Sequence, residues 1–166
     1  MRPAAIGDYG AIRRVVTAAF GAPAAGSTIP EPATIIEGVR AEGASLIELV
    51  EEQNGEIVGH VLFSRMTTSP SRFVAGLGPL AVRPDLQNRG IGQLLSRAGI
   101  DAVRALGGGG IVVLGHPTYY PKLGFSHALA APLGSPFSDR DAFMALELTP
   151  GALSPPLRVD YPAAFG

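Results

Sequence analysis

One succession of elements constrains this chain more than any other: an apolar strand, a glycine-bearing turn, an amphipathic helix and a second apolar strand. Leu77 to Val82 is the first strand, Gln87-Asn88-Arg89-Gly90-Ile91-Gly92 the turn, Gly90 to Leu106 the helix and Ile111 to Leu114 the second strand. Strand, helix, strand in this order implies a right-handed parallel crossover. Ile111 to Leu114 is apolar throughout, as expected for a strand buried on both faces. The first strand belongs to a longer run, Phe73 to Val82, interrupted by Gly76, Gly78 and Pro79. Pro79 removes a ladder donor, so the strand is predicted to bulge or splay from a neighbour there.

The turn is built like an anion site. Glycines let a ligand approach the main chain, and the first N–H groups of the helix have no partner inside it. The helix dipole adds partial positive charge at the same point. A pyrophosphate cradle supported by Arg89 or Arg83 is one reading; an ordinary glycine-containing helix start is the other. The stretch is not a P-loop, because G-x-x-x-x-G-K-[ST] is absent. It is a poor dinucleotide fingerprint, lacking the third glycine and the acidic ribose ligand.

The remaining elements read as follows. Arg2 to Ile6 reads as a short strand, and Asp8 as the N-cap of a helix carrying Ile12, Val15, Val16 and Phe20. Pro30 to Glu42 is a second helix burying Ile35, Ile36 and Val39. Leu46 to Glu52 and Glu56 to Met66 are strands, and Asn54-Gly55 between them is the chain's strongest hairpin signal. Ser69 to Ser71 is a turn. In the crossover helix, Ile91, Leu94, Leu95, Ala98, Ala102 and Leu106 share helical spacing, and Gly107 to Gly110 ends it. Leu129 to Asp139 is a Pro/Gly-rich loop and Ala142 to Leu148 a last strand. The segment from Pro150 to Gly166 holds four prolines beside Leu153, Leu157, Val159, Tyr161 and Phe165. It is too apolar for a free tail and is expected to pack in extended form. The expected organisation is one domain over 1–149 with an extension, 150–166, packed on it.

Composition narrows the function. The chain of 166 residues is 46% apolar and 16% charged, hence globular. A formal net charge of −1 argues against nonspecific nucleic-acid binding. With no cysteine, thiolate metal sites, disulfides and a Cys nucleophile are excluded. The three histidines show no metal-ligand spacing. Neither a secretory signal nor a membrane-length apolar run is present, so a cytoplasmic protein is expected.

Val82-x-Pro84-x-x-Gln87-x-x-Gly90-Ile91-Gly92 resembles the acyl-CoA signature of the GNAT superfamily of N-acetyltransferases. About thirty residues on, Tyr119-Tyr120-Pro121-Lys122-Leu123-Gly124-Phe125 resembles the family's second signature, an aromatic–Tyr pair followed by Lys-Leu-Gly-Phe. Two signatures in order, with a helix and strand between, are far more specific than either alone. The ending Met144 to Leu153 and Tyr161 to Phe165 resembles a bacterial subgroup of predicted acetyltransferases.

The resemblance implies an α/β (α+β) GNAT-like acyl-CoA N-acyltransferase fold. Its sheet would be mixed and mainly antiparallel, with a V-shaped splay between two parallel central strands and helices on both faces. It implies acetyl-CoA as acyl donor and no metal. Backbone groups of Leu80, Ala81 and Val82 would meet the pantetheine arm as an added strand would. The amides of Gln87, Asn88, Arg89, Gly90, Ile91 and Gly92 would hold the pyrophosphate. Tyr120 would be the general acid to the departing thiolate, a phenol of pKa about 10 facing a thiol of about 8.5; packing beneath the site is its bland role, and Tyr119 is read as packing.

The base is less defined. Many family members carry a Glu on the strand before the loop, but Phe73 to Val82 contains no carboxylate. His116, just past the second strand, is of the side-chain type that serves as a general base near neutral pH; a loop histidine is its bland role. Glu31, Glu37 and His60 are substitutes. The implied reaction is direct transfer of acetyl to a primary amine of a small molecule or peptide in a ternary complex. No nucleic acid or membrane partner is expected, and a homodimer stays open. The competing readings are an acyl-CoA-binding sensor or interaction module without transferase activity, and a toxin-type enzyme on aminoacyl-tRNA, which the charge disfavours. The acceptor would be selected by Gly21 to Pro30 and Leu129 to Asp139, whose few charges disfavour a polycation.

Overall fold

The first and last strands of the crossover run parallel and then part. The structure is a computed structural model and describes residues 1–21 and 30–166. In chain order the elements are β1 (Arg2–Pro3), α1 (Tyr9–Phe20), α2 (Pro32–Ala41), β2 (Ser45–Gln53), β3 (Glu56–Arg65), β4 (Thr67–Ser69), β5 (Val74–Val82), α3 (Ile91–Ala105), β6 (Gly110–Leu114), α4 (His127–Ala130), β7 (Phe143–Glu147) and β8 (Arg158–Asp160). Six strands form one sheet in the order β1-β2-β3-β5-β6-β7, and β4 pairs with β8 separately. Within this sheet, among the described residues, β5 and β6 are the parallel pair and the other strand pairs are antiparallel.

The parallel register runs from Val74↔Gly110 to Leu77↔Val113 and stops. β5 continues to Val82, still paired with β3 through Val61↔Leu80, His60↔Ala81 and Gly59↔Val82. The register of that pair slips between Val61 and Phe63, where Gly78 and Pro79 form a bulge on β5. The expected irregularity at Pro79 therefore coincides with the splay. The β2–β3 turn also follows expectation: Asn54 and Gly55 take φ of +53° and +79°, the left-handed pair of a type I′ hairpin.

Successive residues of a strand face opposite sides. Val61 and Phe63 join a core with Leu95, Ile100 and Val103 of α3, and with Tyr120 and Phe125. Leu62 and Ala81 join Ile12 and Val16 of α1 and Ile36 and Val39 of α2. Helices thus cover both faces. A third core holds Val74, Val112, Phe143 and Ala145 against Leu153, Leu157 and Val159 of the C-terminal segment. That segment is extended where β8 pairs with β4 and ends in a turn of 3-10 helix, Ala163–Phe165.

Several expectations need correction. The first strand ends at Pro3, and Ile6 lies on a 3-10 turn, 82% exposed. Asp8 precedes α1 but does not cap it; its carboxylate accepts from Ala5 N–H at 2.7 Å and from Arg2. Phe20 is exposed. Ser69 ends β4 instead of starting a turn, and the Leu129 loop begins inside α4. On α3, Leu94 and Leu106 point to solvent, whereas Ser96 and Gly99 are buried with Ile91, Leu95, Ile100 and Val103. The buried stripe has the helical period but is offset, because Phe63 presses onto the helix. A Cβ on Gly99 would overlap the Phe63 ring, so smallness, not apolarity, decided that position. No helix among the described residues is long and apolar enough to cross a membrane.

Candidate active site

The splay has one open edge. Arg83 N–H donates to Val58 O on β3 at 2.8 Å. Because backbone groups alternate along an antiparallel strand, Ala81 uses its own on the same side. Leu80 and Val82 turn theirs toward the gap left by β6. Their side chains pack into the α3-side core, while the Ala81 methyl is buried against α1 and α2. Of the three backbones expected at an added strand, Leu80 thus turns both its groups to the gap and Val82 its N–H, the Val82 carbonyl being taken by the Gln87 side chain.

Beyond Val82, Pro84–Leu86 forms a 3-10 turn. Gln87 N–H closes it weakly onto Pro84 O at 3.4 Å, and the Gln87 side chain donates to Val82 O at 3.0 Å. Asn88 and Gly90 then take left-handed φ of +60° and +85°, and α3 starts at Ile91. The next helix-closing bond is Leu94 N–H to Gly90 O at 3.0 Å. Among the described residues, none of the N–H groups from Asn88 to Gln93 has an acceptor. Successive amides alternating between left- and right-handed conformations form a concave donor set suited to an oxyanion. Gly92 keeps the site open: a Cβ there would lie 3.0 Å from the Tyr119 hydroxyl. Arg83 is engaged with Asp85 and Glu56, whereas Arg89, exposed within the turn itself, has no ion-pair partner among the described residues.

Tyr120 opens a second 3-10 turn, Tyr120–Leu123, below the end of β6. The His116 carbonyl accepts from Tyr119 N–H at 3.0 Å and Tyr120 N–H at 3.4 Å. Tyr120 is buried, its ring edge-on to Tyr119 at 5.0 Å and to Phe125 at 5.7 Å. Burial, then the adjacent Tyr119, push its phenol well above the usual range, so it stays protonated and keeps a proton to donate. Gly115 makes room for it, since a Cβ there would overlap the Tyr120 ring. Nothing in the sequence marked that glycine out. Tyr119 tucks its hydroxyl against α3. Burial raises its pKa and the Ser96 hydroxyl opposes this, yet neither hydroxyl has a partner in good geometry.

The candidate bases are dispersed. The His116 side chain is exposed, two residues past the end of β6. Glu31 precedes α2 and is exposed, and Glu37 is an exposed partner of Arg13. His60 is fully buried, with Nε2 2.8 Å from Glu48 Oε1; Glu48 also accepts from Arg40. Sequence alone offered no cue to this trio, which exists only through the β2–β3 register and the docking of α2. Of the two acceptor-selecting loops, Gly21 to Pro30 lies largely outside the described residues. A cleft of about 440 Å³ between α1 and the β2–β3 turn is lined by Arg2, Asp8, Glu52, Glu56 and Arg83. These charges already satisfy one another, and the cleft includes none of the splay residues.

An open strand edge running into an amide-lined helix start, with a buried phenol alongside, accords with what known proteins share with this chain. The sequence profile of the Acetyltransferase (GNAT) family matches residues 18–125. The chain belongs to this family. The GNAT match takes in the Gln87 turn and the Tyr119-Tyr120 pair, and leaves β7 and the C-terminal segment outside. The uncharacterized N-acetyltransferase YjhQ of Escherichia coli K12 is 39% identical over 123 residues, 71% of this chain and 64% of that protein. The match therefore spans just under two thirds of that relative. A GNAT family acetyltransferase from Brucella melitensis, solved with acetyl-CoA, is 33% identical with a TM-score of 0.81, covering 99% of this chain and 96% of the other. The E. coli GNAT protein YhbS, solved with CoA, is 25% identical with a TM-score of 0.84, covering 99% and 89%. Both structural alignments extend into the C-terminal segment.

Proposed function

We propose that this protein transfers an acetyl group from acetyl-CoA to a primary amine by direct attack in a ternary complex. The observation that carries the reading is the pairing of an open β5 edge beyond Leu77 with the unpartnered amides from Asn88 to Gln93. The edge suits the amide-bearing pantetheine arm, through Leu80 and Val82. The amides suit the pyrophosphate, with Gln87 bracing the turn and Arg89 adding charge. The complexes of the B. melitensis protein with acetyl-CoA and of YhbS with CoA support the same ligand.

In the transfer, the acceptor nitrogen bonds to the acyl carbon, the C–S bond breaks and the sulfur leaves with a proton. Tyr120 supplies that proton: its raised pKa keeps it protonated until a thiolate develops. His116, exposed past the end of β6, takes the proton from the incoming amine. Holding both substrates in the splay supplies much of the rate enhancement. The acceptor is a small molecule or peptide amine selected partly by the sparsely charged Leu129 to Asp139 loop, and the protein works in the cytoplasm.

The second reading, an acyl-CoA sensor without transferase activity, rests on the absence of a carboxylate along β5. A free-thiol release assay with acetyl-CoA over an amine library separates the two. Thiol release with an acceptor, lost in Tyr120→Phe, is expected. Thermal stabilisation by acetyl-CoA without thiol release from any amine would favour the sensor.

A further inference from the structure

The C-terminal segment carries one polar group with no structural work to do. Tyr161 follows β8, whose last pair is Asp160↔Thr67. Its ring meets Phe137 edge-on at 5.5 Å and Phe165 at a tilt at 5.0 Å. The hydroxyl is buried without a hydrogen-bond partner. A buried hydroxyl without a partner destabilises the fold, and phenylalanine would fill the same space without that cost.

The path of the chain says where this hydroxyl lies. Tyr161 packs on the core containing Val74 and Val112, which sit where β5 and β6 still pair. Four residues later Phe165 packs on the core containing Leu62 and Ala81, where β5 has left β6. Ala163 N–H is anchored to Glu42 at 3.1 Å. The segment thus crosses the sheet where the two strands part, on the face opposite α3. Tyr120 belongs to the core on the α3 side and follows the end of β6, so it approaches the sheet from the opposite face.

We propose that Tyr161 is a hydrogen-bonding residue of the transfer site, supplied by the C-terminal segment, whose hydroxyl donates to the acyl end of acetyl-CoA bound in the splay. The inference rests on the acetyl-CoA reading above. The role is donation: burial first, and Tyr120 second, push the Tyr161 phenol upward, so it is not a base. Tyr161 and Tyr120 would then face the thioester from opposite faces of the sheet.

Tyr161→Phe removes only the hydroxyl. Calorimetric titration of wild type and variant with acetyl-CoA and with CoA tests the assignment without needing an acceptor. The variant should bind acetyl-CoA about 5- to 10-fold more weakly, the loss of one hydrogen bond, and CoA within about twofold. Its Tm should be unchanged or higher. Equal affinities for wild type and variant, a parallel loss for both ligands, or a lowered Tm would each overturn the proposal, the last by showing the hydroxyl to be structural. A wild type that binds neither ligand would overturn the acetyl-CoA reading itself. A wild type that binds both, with an indifferent Tyr161→Phe, overturns only the role of Tyr161.

Discussion

The side chain of Gln87 donates from Nε2 to the carbonyl oxygen of Val82 at 3.0 Å, folding the turn back onto the end of β5. This bond fixes where the amides of Asn88 to Gln93 begin relative to the open strand edge. It is exposed and lies outside the core, so its loss should be felt in binding more than in folding. Gln87→Ala should weaken acetyl-CoA about 3- to 10-fold, the worth of one hydrogen bond, with Tm within about 2 °C of wild type. Isothermal titration and a melting curve check both halves; an unchanged Kd would mean the turn holds its shape without Gln87.

Gly115 and Tyr120 give a second handle on the site. A methyl on Gly115 overlaps the Tyr120 ring, so Gly115→Ala must displace the phenol while leaving its chemistry intact. Misplacement by about 1 Å can cost about 100-fold in rate. Gly115→Ala is expected to lower kcat about 10- to 100-fold with acetyl-CoA affinity little changed, since the cradle lies on the other strand. Steady-state kinetics beside titration would show it. Wild-type kcat in this variant would argue that the position of Tyr120 is immaterial to transfer.

Much of this site was legible before any coordinates because it depends on local backbone chemistry. Pro79 cannot complete a ladder, and the splay is there. Asn54-Gly55 can adopt paired left-handed turns, and the hairpin is there. What could not be read depends on which residues meet across the sheet. Leu94 and Leu106 satisfy the helical period as well as the residues that are buried, and only Phe63 on β3 decides that Ser96 and Gly99 face inward instead. His60 was visible mid-strand, but its partner Glu48 is set by the β2–β3 register and Arg40 by the docking of α2. That the C-terminal segment packs on the sheet follows from its apolar content, whereas its confinement of extended chain to Arg158–Asp160 depends on the β4–β8 pair.

The His60–Glu48 contact has a pH signature. Glu48 is ionised: burial works to raise its carboxyl, but hydrogen bonds from His60 and Arg40 outweigh it and hold it low. An ionised carboxylate only accepts, so the proton sits on His60 Nε2, and Nδ1 is buried without a partner. Burial pushes the imidazole below its ordinary value, against the pull of Glu48, so His60 is neutral when folded. Unfolded, it titrates near about 6.5. The unfolded chain therefore takes up more protons below that value. The stabilisation is complete above about pH 6.5 and is lost progressively as pH falls below it, with a slope limited to about 1.4 kcal/mol per pH unit for one proton. Urea unfolding at pH 8, 6.5 and 5 should give a falling midpoint between the last two, and the His60 ring resonances should not titrate at 6.5 in the folded protein. Stability that rises between pH 6.5 and 5 would contradict the neutral assignment.

The C-terminal segment should be integral to the fold. Leu153, Leu157 and Val159 are 3%, 2% and 0% exposed, and they cover Val74, Val112, Phe143 and Ala145 of the central strands. Leu153 fills the space against Gly110, where a Cβ would collide with it. Truncating one buried leucine to alanine costs about 2–5 kcal/mol, whereas a domain's whole stability is about 5–15 kcal/mol. Leu157→Ala is therefore expected to fold with a Tm lowered by roughly 4–20 °C, at about 2–4 °C per kcal/mol for a chain of this size. A chain ending at Thr149 loses all three residues together with the β8 partner of β4, and should show no cooperative melt and bind a hydrophobic dye at 25 °C. Circular dichroism melts and dye fluorescence on the two variants provide the check. A truncated chain that melts cooperatively near the wild-type Tm would show that the central strands are stable without their cover, and that Tyr161 is carried by a dispensable appendage.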